Sequence, residues 1–195
     1  NEPLITSEWS VAIFTQARAA GLMTAFVSNG NATPRVLDYL RPWVDLYKVD
    51  LKSFDDRHYR QLGGRLEPVL ATIRALHEMD IWLEIVTLLI PGFNDSSEEL
   101  DRLTEFVASV SPDIPWHVTA FHQDYRMSDP DNTTPEMLMA AAERGRRNGL
   151  RYVYAGNAPG RVGDLENTRC HACRALIIER DGYHILQYRL TSAGG

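Results

Sequence analysis

The sequence predicts an α/β fold of parallel strands followed by a C-terminal hairpin that carries the cysteines, and three observations predict it. Short, nearly continuous apolar runs alternate with helical segments along the first four-fifths of the chain. Parallel neighbours need crossover connections of about this length, with helices covering the strands. The apolar runs end on polar or glycine-containing segments: Ser28-Asn29-Gly30, Asp50-Leu51-Lys52, His122-Gln123-Asp124 and Gly156-Asn157. In such folds, open sheet or barrel, ligands sit at the carboxyl ends of the strands. Beyond residue 157 the pattern changes to Cys170 and Cys173 followed by two strand-like runs that turn at Asp181-Gly182, a hairpin signal.

The elements follow in order. Thr6 or Ser7 can cap a helix running to about Ala20, with Trp9, Ile13 and Ala17 on one stripe, before "GLMTAFVSN" reads as a strand. "TPRVLDYL" opens a helix with Thr33 as cap and Pro34 in its first turn, and "VDLYKVDLK" is the next strand. A polar loop, a helix over residues 66–79 and the strand "IWLEIVTLLI" come next, the strand stopped by Pro91-Gly92. Ser96 and Glu99 have capping-box spacing for a helix ending near Val110. "WHVTAFH" is again a strand, Thr134-Pro135 starts a helix to Asn148-Gly149, and "YVYAG" completes the series. No fixed-period repeat interrupts it. The organisation expected is a barrel part over residues 1–157 and an extension over residues 158–195.

Composition narrows the function. A net charge of -6 offers no basic field to a phosphate backbone, so no nucleic-acid partner is expected. No apolar run has the length of a membrane span and no signal peptide opens the chain, so neither a membrane nor export is expected, and a cytoplasmic location is the default. The chain starts at Asn1-Glu2-Pro3 without Met, as the remainder of something longer would. Of its twenty basic residues only Lys48 and Lys52 are lysines, and they fall in one stretch, "YKVDLKSFDD".

Alternation along that strand places Lys48, Asp50 and Lys52 on one face and Tyr47, Val49 and Leu51 on the other. The apolar set faces the helices, so the charged set points to the inside of a curved sheet, where charge must be paired or used. The same alternation puts Glu84 with Val86 and Leu88, and Trp116 with Val118, Ala120 and His122, on inner faces, while His117 takes the other face with a structural role. Lys48 and Glu84 are expected to pair. Asp50 and Lys52, at the rim, suit a zwitterionic ligand with hydroxyls.

Several short segments together resemble the radical S-adenosylmethionine enzymes. Asn1-Glu2-Pro3 is similar to their "GGE" or "xEP" element, and "VSNG", "VDLKSF", "LLIPGFND", "AFHQDYRM" and "YVYAGN" follow in the order of the branch related to pyruvate formate-lyase activating enzymes. The subgroup it resembles most is the AmmeMemoRadiSam system radical SAM enzyme, including the tail "NTRCHACRALIIERDGYHI". The resemblance implies a partial TIM-like (β/α) barrel that binds S-adenosylmethionine. Asn1, Glu2 and the adjoining backbone would hold its amino group, and Ser28 and Asn29 would line the methionine or ribose. Asp50 and Lys52 would contact ribose and carboxylate, where the compact ammonium of a lysine suits a point contact better than a guanidinium fork. Ile90 to Asn94 would form the adenine side, with Asn94 contacting through its side chain, and His122 would face the cofactor.

The resemblance also implies a [4Fe-4S] cluster on three cysteines of a CxxxCxxC loop, an electron donor such as flavodoxin or ferredoxin, and a protein or peptide substrate as in the glycyl-radical activases. Two cysteines cannot supply that loop, which would lie upstream of Asn1, so the chain alone is expected to generate no radical. Cys170 and Cys173 suit half of a zinc site or a pair of free thiols. Two other readings stand beside this one. Lys52 could be a Schiff-base nucleophile of a lyase or aldolase with Asp50 and His122, or the cysteine hairpin could be the docking element of a non-catalytic module.

Overall fold

The structure, a computed structural model, describes residues 2–126 and 128–190. Strands β1 (Ala25–Ser28), β2 (Leu46–Asp50), β3 (Trp82–Leu89), β4 (Trp116–Ala120) and β5 (Val153–Gly156) form one sheet in that order. Its strands are parallel, as expected of a partial (β/α) barrel. Helix α1 (Ser7–Ala19) precedes β1, and helices α2 (Pro34–Leu40), α3 (Asp56–Gln61), α4 (Leu66–Glu78), α5 (Ser97–Val110) and α6 (Pro135–Arg147) fall between the strands. Strands β6 (Thr168–Arg169), β7 (Leu176–Asp181) and β8 (His184–Tyr188) make a separate antiparallel sheet. None of the described helices is long and apolar enough to cross a membrane. The chain divides into two compact units, Asn1–Val86 and Thr87–Gly195.

In the first unit, β1 pairs with β2 from Ala25↔Leu46 and β2 with the start of β3 from Leu46↔Trp82. One row of each strand is buried: Phe26, then Tyr47 and Val49, then Leu83 and Ile85. These side chains share the core with Val69, Ile73 and Leu76 of α4, and each such burial is worth about 1.5–3 kcal/mol. Thr33 caps α2, its hydroxyl accepting from the Val36 N–H, with Pro34 at the first helical position as the sequence indicates. The α3 helix replaces an expected loop. It has no apolar stripe; the Asp55 cap, the Asp56–Arg60 pair one turn apart and the buried Tyr59 hold it instead. The stripe on α1 stays in solvent, with Trp9 72% and Ile13 60% exposed.

Gly30 closes β1 with φ of 75°, and a Cβ there would stand 2.7 Å from Val49 Cγ1 and 3.0 Å from Val69 Cγ1. Only glycine fits both constraints.

In the second unit, β4 pairs with β5 from Trp116↔Val153 to Thr119↔Gly156. Ser96 and Thr134 cap α5 and α6 through the Glu99 and Met137 N–H groups. Trp116 is fully buried with its ring against Gly145 of α6, where a Cβ would come within 2.9 Å, and its indole N–H donates to Thr87 Oγ1 at 3.0 Å. This reverses the expected phase of β4. Trp116, Val118 and Ala120 lie on the buried, helix-facing row, and His117 and Thr119 take the other. Counting alternation back from His122 fails because the strand ends at Ala120, so the residues after it no longer keep the period.

Carboxylates tie the connections. Asp45 accepts from the Thr24 N–H and hydroxyl and pairs with Arg18, while Asp101 takes Asn148 and Arg144. The Thr24 N–H holds the Asp45 carboxyl below its ordinary value, and the Asn148 amide does the same for Asp101.

Three outcomes are expected. Gly30→Ala should destabilise the protein by about 3 kcal/mol, combining a left-handed backbone with a clash. Gly145→Ala should also destabilise it, by about 1 kcal/mol, although the same change in an open helix would stabilise by a similar amount; chemical denaturation measures both. Because Asp45 and Asp101 titrate lower in the folded than in the unfolded chain, their contribution is complete above the ordinary carboxylate range and is lost as pH falls through and below about 4. The fall in melting temperature between about pH 5 and 3 should be shallower in Asp45→Asn than in the parent.

Candidate functional site

The carboxyl ends of β1 and β2 hold the polar residues of the first unit. Glu2 reaches from the chain start into the β1 end: one carboxylate oxygen accepts from Ser28 Oγ at 2.8 Å and the Leu4 N–H at 3.1 Å, the other from the Asn29 N–H at 2.7 Å. A carboxylate has about four acceptor positions, so three filled by the chain leave one. Asn1, expected beside Glu2, lies outside the described residues. Ser28 is buried on the row of Phe26, and its hydroxyl also accepts from the Gly30 N–H at 3.0 Å. It builds the turn from behind. The Asn29 side chain closes the same turn by accepting from the Asn31 N–H at 2.9 Å.

Behind this network Tyr47 is buried, and burial pushes its phenol up to about 12. Its hydroxyl is a buried side-chain polar atom with no hydrogen-bond partner among the described residues.

At the end of β2, Lys52 Nζ pairs with Asp50 Oδ2 at 3.0 Å, with the two side chains 41% and 34% exposed. The sequence placed this pair at a rim, and the structure leaves both groups within reach of solvent. The Lys52 N–H donates to the Tyr59 hydroxyl at 3.1 Å, so α3 fixes the backbone beneath the ammonium. Lys48 and Glu84 are direct register neighbours, as expected of inward residues on adjacent strands. The Glu84 carboxylate accepts from the Trp82 indole at 3.1 Å. Lys48 and Asp50 are half-buried, as are Glu84 and Val86, on the row opposite the core.

In the second unit the expected adenine-side loop is closed on itself. Asn94 is 1% exposed; its Oδ1 accepts from the Ile90 N–H at 2.7 Å and its Nδ2 donates to the Leu88 carbonyl at 2.8 Å. The amide is a clamp on the end of β3. Ile90 is half-buried with its N–H used in that clamp. His122 is exposed, and its Nε2 lies 3.0 Å from the Asn157 carbonyl. Asn157, at φ of 60°, donates to the Ala120 carbonyl at 3.2 Å and so links the ends of β4 and β5. Sequence reasoning gave His117 a structural role and missed its partner: His117 and Tyr154 share the row away from the helices and stack at 5.0 Å and 19°. The signal was present: an aromatic and an imidazole at matching positions of adjacent strands, obscured by the reversed phase.

Cys170 is half-buried and Cys173 exposed, both as free thiols. Among the described residues no group of three or more His, Cys, Asp and Glu side chains could hold a metal ion, so the zinc expectation gains no support. A cluster that needs three cysteines does not fit these two.

The model of the radical SAM superfamily matches residues 1–105. An uncharacterised protein of Methanocaldococcus jannaschii is 34% identical over 180 residues, spanning 92% of this chain and 53% of its own. The choline trimethylamine-lyase activating enzyme of Oleidesulfovibrio alaskensis is 28% identical over 173 residues, spanning 88% of this chain and 51% of its own. The chain thus spans about half the length of the curated relatives it matches. Among solved structures, a domain of the pyruvate formate-lyase-activating enzyme of Bacteroides vulgatus shares the fold with a TM-score of 0.70 at 24% identity, over 80% of this chain and 95% of that one. A family match that starts at Asn1 and includes Glu2, the β1 turn, the Asp50–Lys52 rim and all of β3 covers the first three strands and their ends, and by it the chain belongs to the radical SAM superfamily.

Proposed function

We propose that this chain is the S-adenosylmethionine-binding part of a radical enzyme of the glycyl-radical activase kind. Residues 1–157 are the barrel part and residues 158–195 an extension. The observation that carries the reading is the Asp50–Lys52 pair, solvent-accessible at the carboxyl end of a parallel strand in a radical SAM chain. Beside it, the Glu2 carboxylate keeps one acceptor position open at the end of β1.

In this reading the ligand is zwitterionic and bears a ribose. Lys52 offers its ammonium to the carboxylate, Asp50 accepts from ribose hydroxyls, and Glu2 accepts a hydrogen bond from the amino group. Tyr59 and the Asn29 turn hold these groups in place, so little ordering is left to be done on binding. S-adenosylmethionine supplies a cleavable sulfonium when bound, and the residues of this chain orient it. The chain's cysteines do not fit a three-cysteine cluster, and no step is assigned through one. The chain by itself is inactive; the intact protein works in the cytoplasm, takes electrons from a flavodoxin or ferredoxin, and acts on a protein or peptide. That last point rests on relatives that are activating enzymes of other enzymes.

Equilibrium dialysis of the chain against labelled S-adenosylmethionine tests the reading. Lys52→Met and Asp50→Asn should each weaken binding about tenfold or more, the usual loss when a charge-assisted hydrogen bond is removed, with circular dichroism unchanged. Unaltered affinity in both variants would remove the rim pair from the site. No 5′-deoxyadenosine should form with the chain alone under a strong reductant; its appearance would contradict the assignment of inactivity.

A further inference from the structure

Arg169-Cys170-His171-Ala172-Cys173-Arg174 forms the tip that joins β6 to β7. The Cys170 N–H donates to the Ala175 carbonyl at 2.9 Å and the Arg174 N–H to the Cys170 carbonyl at 2.9 Å, which closes the turn with Arg174 at φ of 62°. The Cys173 N–H, above all, and the Ala172 N–H hold the Cys170 thiol below its ordinary value, and the two cysteines, free thiols two residues apart in one turn, have the spacing of an exchanging dithiol.

A cleft abuts this turn. It is lined by Arg146, Arg151, Arg169 and Arg174 against a single acid, Asp164. Asp164 is paired with Arg169 at 2.6 Å and also faces Arg146, Arg151 is paired with Asp113 beyond the cleft, and Glu179 acts on Arg169, so the four arginines keep a small local excess of positive charge in a chain of net charge -6. Tyr152, also in the lining, anchors the turn with its hydroxyl 3.1 Å from His171 Nδ1. The cleft holds about 20 Å³, too little to enclose a peptide-sized molecule. Its arginines therefore act on an approaching anion through their field and at the surface.

We propose that Cys170 and Cys173 form a redox-active dithiol that exchanges with small disulfides bearing carboxylates, which the arginine cleft draws to the exposed turn. The Cys170 thiolate attacks one sulfur of the small disulfide, forming a mixed disulfide and releasing one thiolate that takes up a proton. The Cys173 thiol then loses its proton and attacks Cys170 Sγ, forming the Cys170–Cys173 bond and releasing the second small thiol. The protein dithiol is oxidised by two electrons and the small disulfide reduced to two thiols, and excess small thiol reverses the exchange.

The test compares glutathione disulfide, which is anionic, with cystamine, which is cationic, on the reduced chain, following intact mass and rate. Glutathione disulfide should yield a product lighter by about 2 Da, the loss of two hydrogens. Cys173→Ser should instead stop at a mixed disulfide mapped to Cys170. At low salt glutathione disulfide should react about tenfold faster than cystamine, and the preference should collapse at high salt. Arg146→Ala with Arg174→Gly should lose the preference; both positions are exposed, and glycine suits the left-handed backbone at residue 174. Salt dependence in the parent makes the same test without mutation. Equal rates for the two reagents at low salt, or a dithiol that stays reduced in excess glutathione disulfide, would overturn the proposal. So would a zinc ion that the two thiols hold against this exchange. None of these readouts depends on S-adenosylmethionine binding.

Discussion

A strand covered by a helix must bury one of its two rows, and most of what this chain offers for chemistry follows from which row that is. In β2 the buried row is Tyr47 and Val49, so Lys48 and Asp50 have only the opposite side to occupy. In β4 the buried row begins with Trp116, the largest fully buried side chain among the described residues, seated where α6 supplies a glycine. Its ring volume sets the phase of the strand and with it the position of His117. Polar side chains are therefore placed by where the apolar ones can pack, and a single residue of register would exchange the two sets.

The strand ends follow a second rule. A loop at the end of a buried strand carries N–H and carbonyl groups that need partners, and side chains supply them. Glu2 serves three donors at the start of the chain; Asn94 serves β3 with both ends of its amide; Thr133 accepts from the Phe121 N–H and donates to the Leu89 carbonyl. Such residues match sequence motifs because the turn requires them, whether or not a ligand touches them. Asp50 and Lys52 differ: they satisfy each other and remain open to solvent.

The strands and the longer helices were legible because their signals are local and repeated. Thr33-Pro34, Ser96 with Glu99, and Thr134-Pro135 mark helix starts that the structure reproduces. The α3 helix was not legible, since a six-residue helix held by a cap and one buried tyrosine has no periodicity to read. Nor was the direction of β4, because alternation says which residues share a face and leaves open which face is covered. At the candidate site, the shared face of Asp50 and Lys52 at a strand end could be read from spacing alone. The burial of Ser28 and Asn94 could not, as it depends on turns whose hydrogen bonds reach two to six residues along the chain.

Tyr59 has a consequence for how much this region can vary. It lies in a short helix after a polar stretch that resembles the kind of surface loop in which insertions and deletions accumulate. Its hydroxyl nevertheless holds the Lys52 N–H, and the residue is 5% exposed. The span from Lys52 to Tyr59 is thus a splint of set length, fastened to the strand end on one side and to the interior on the other. One residue added or removed would turn Tyr59 on its helix by about 100° and release the backbone under the lysine. This is a stretch whose composition can drift while its length cannot.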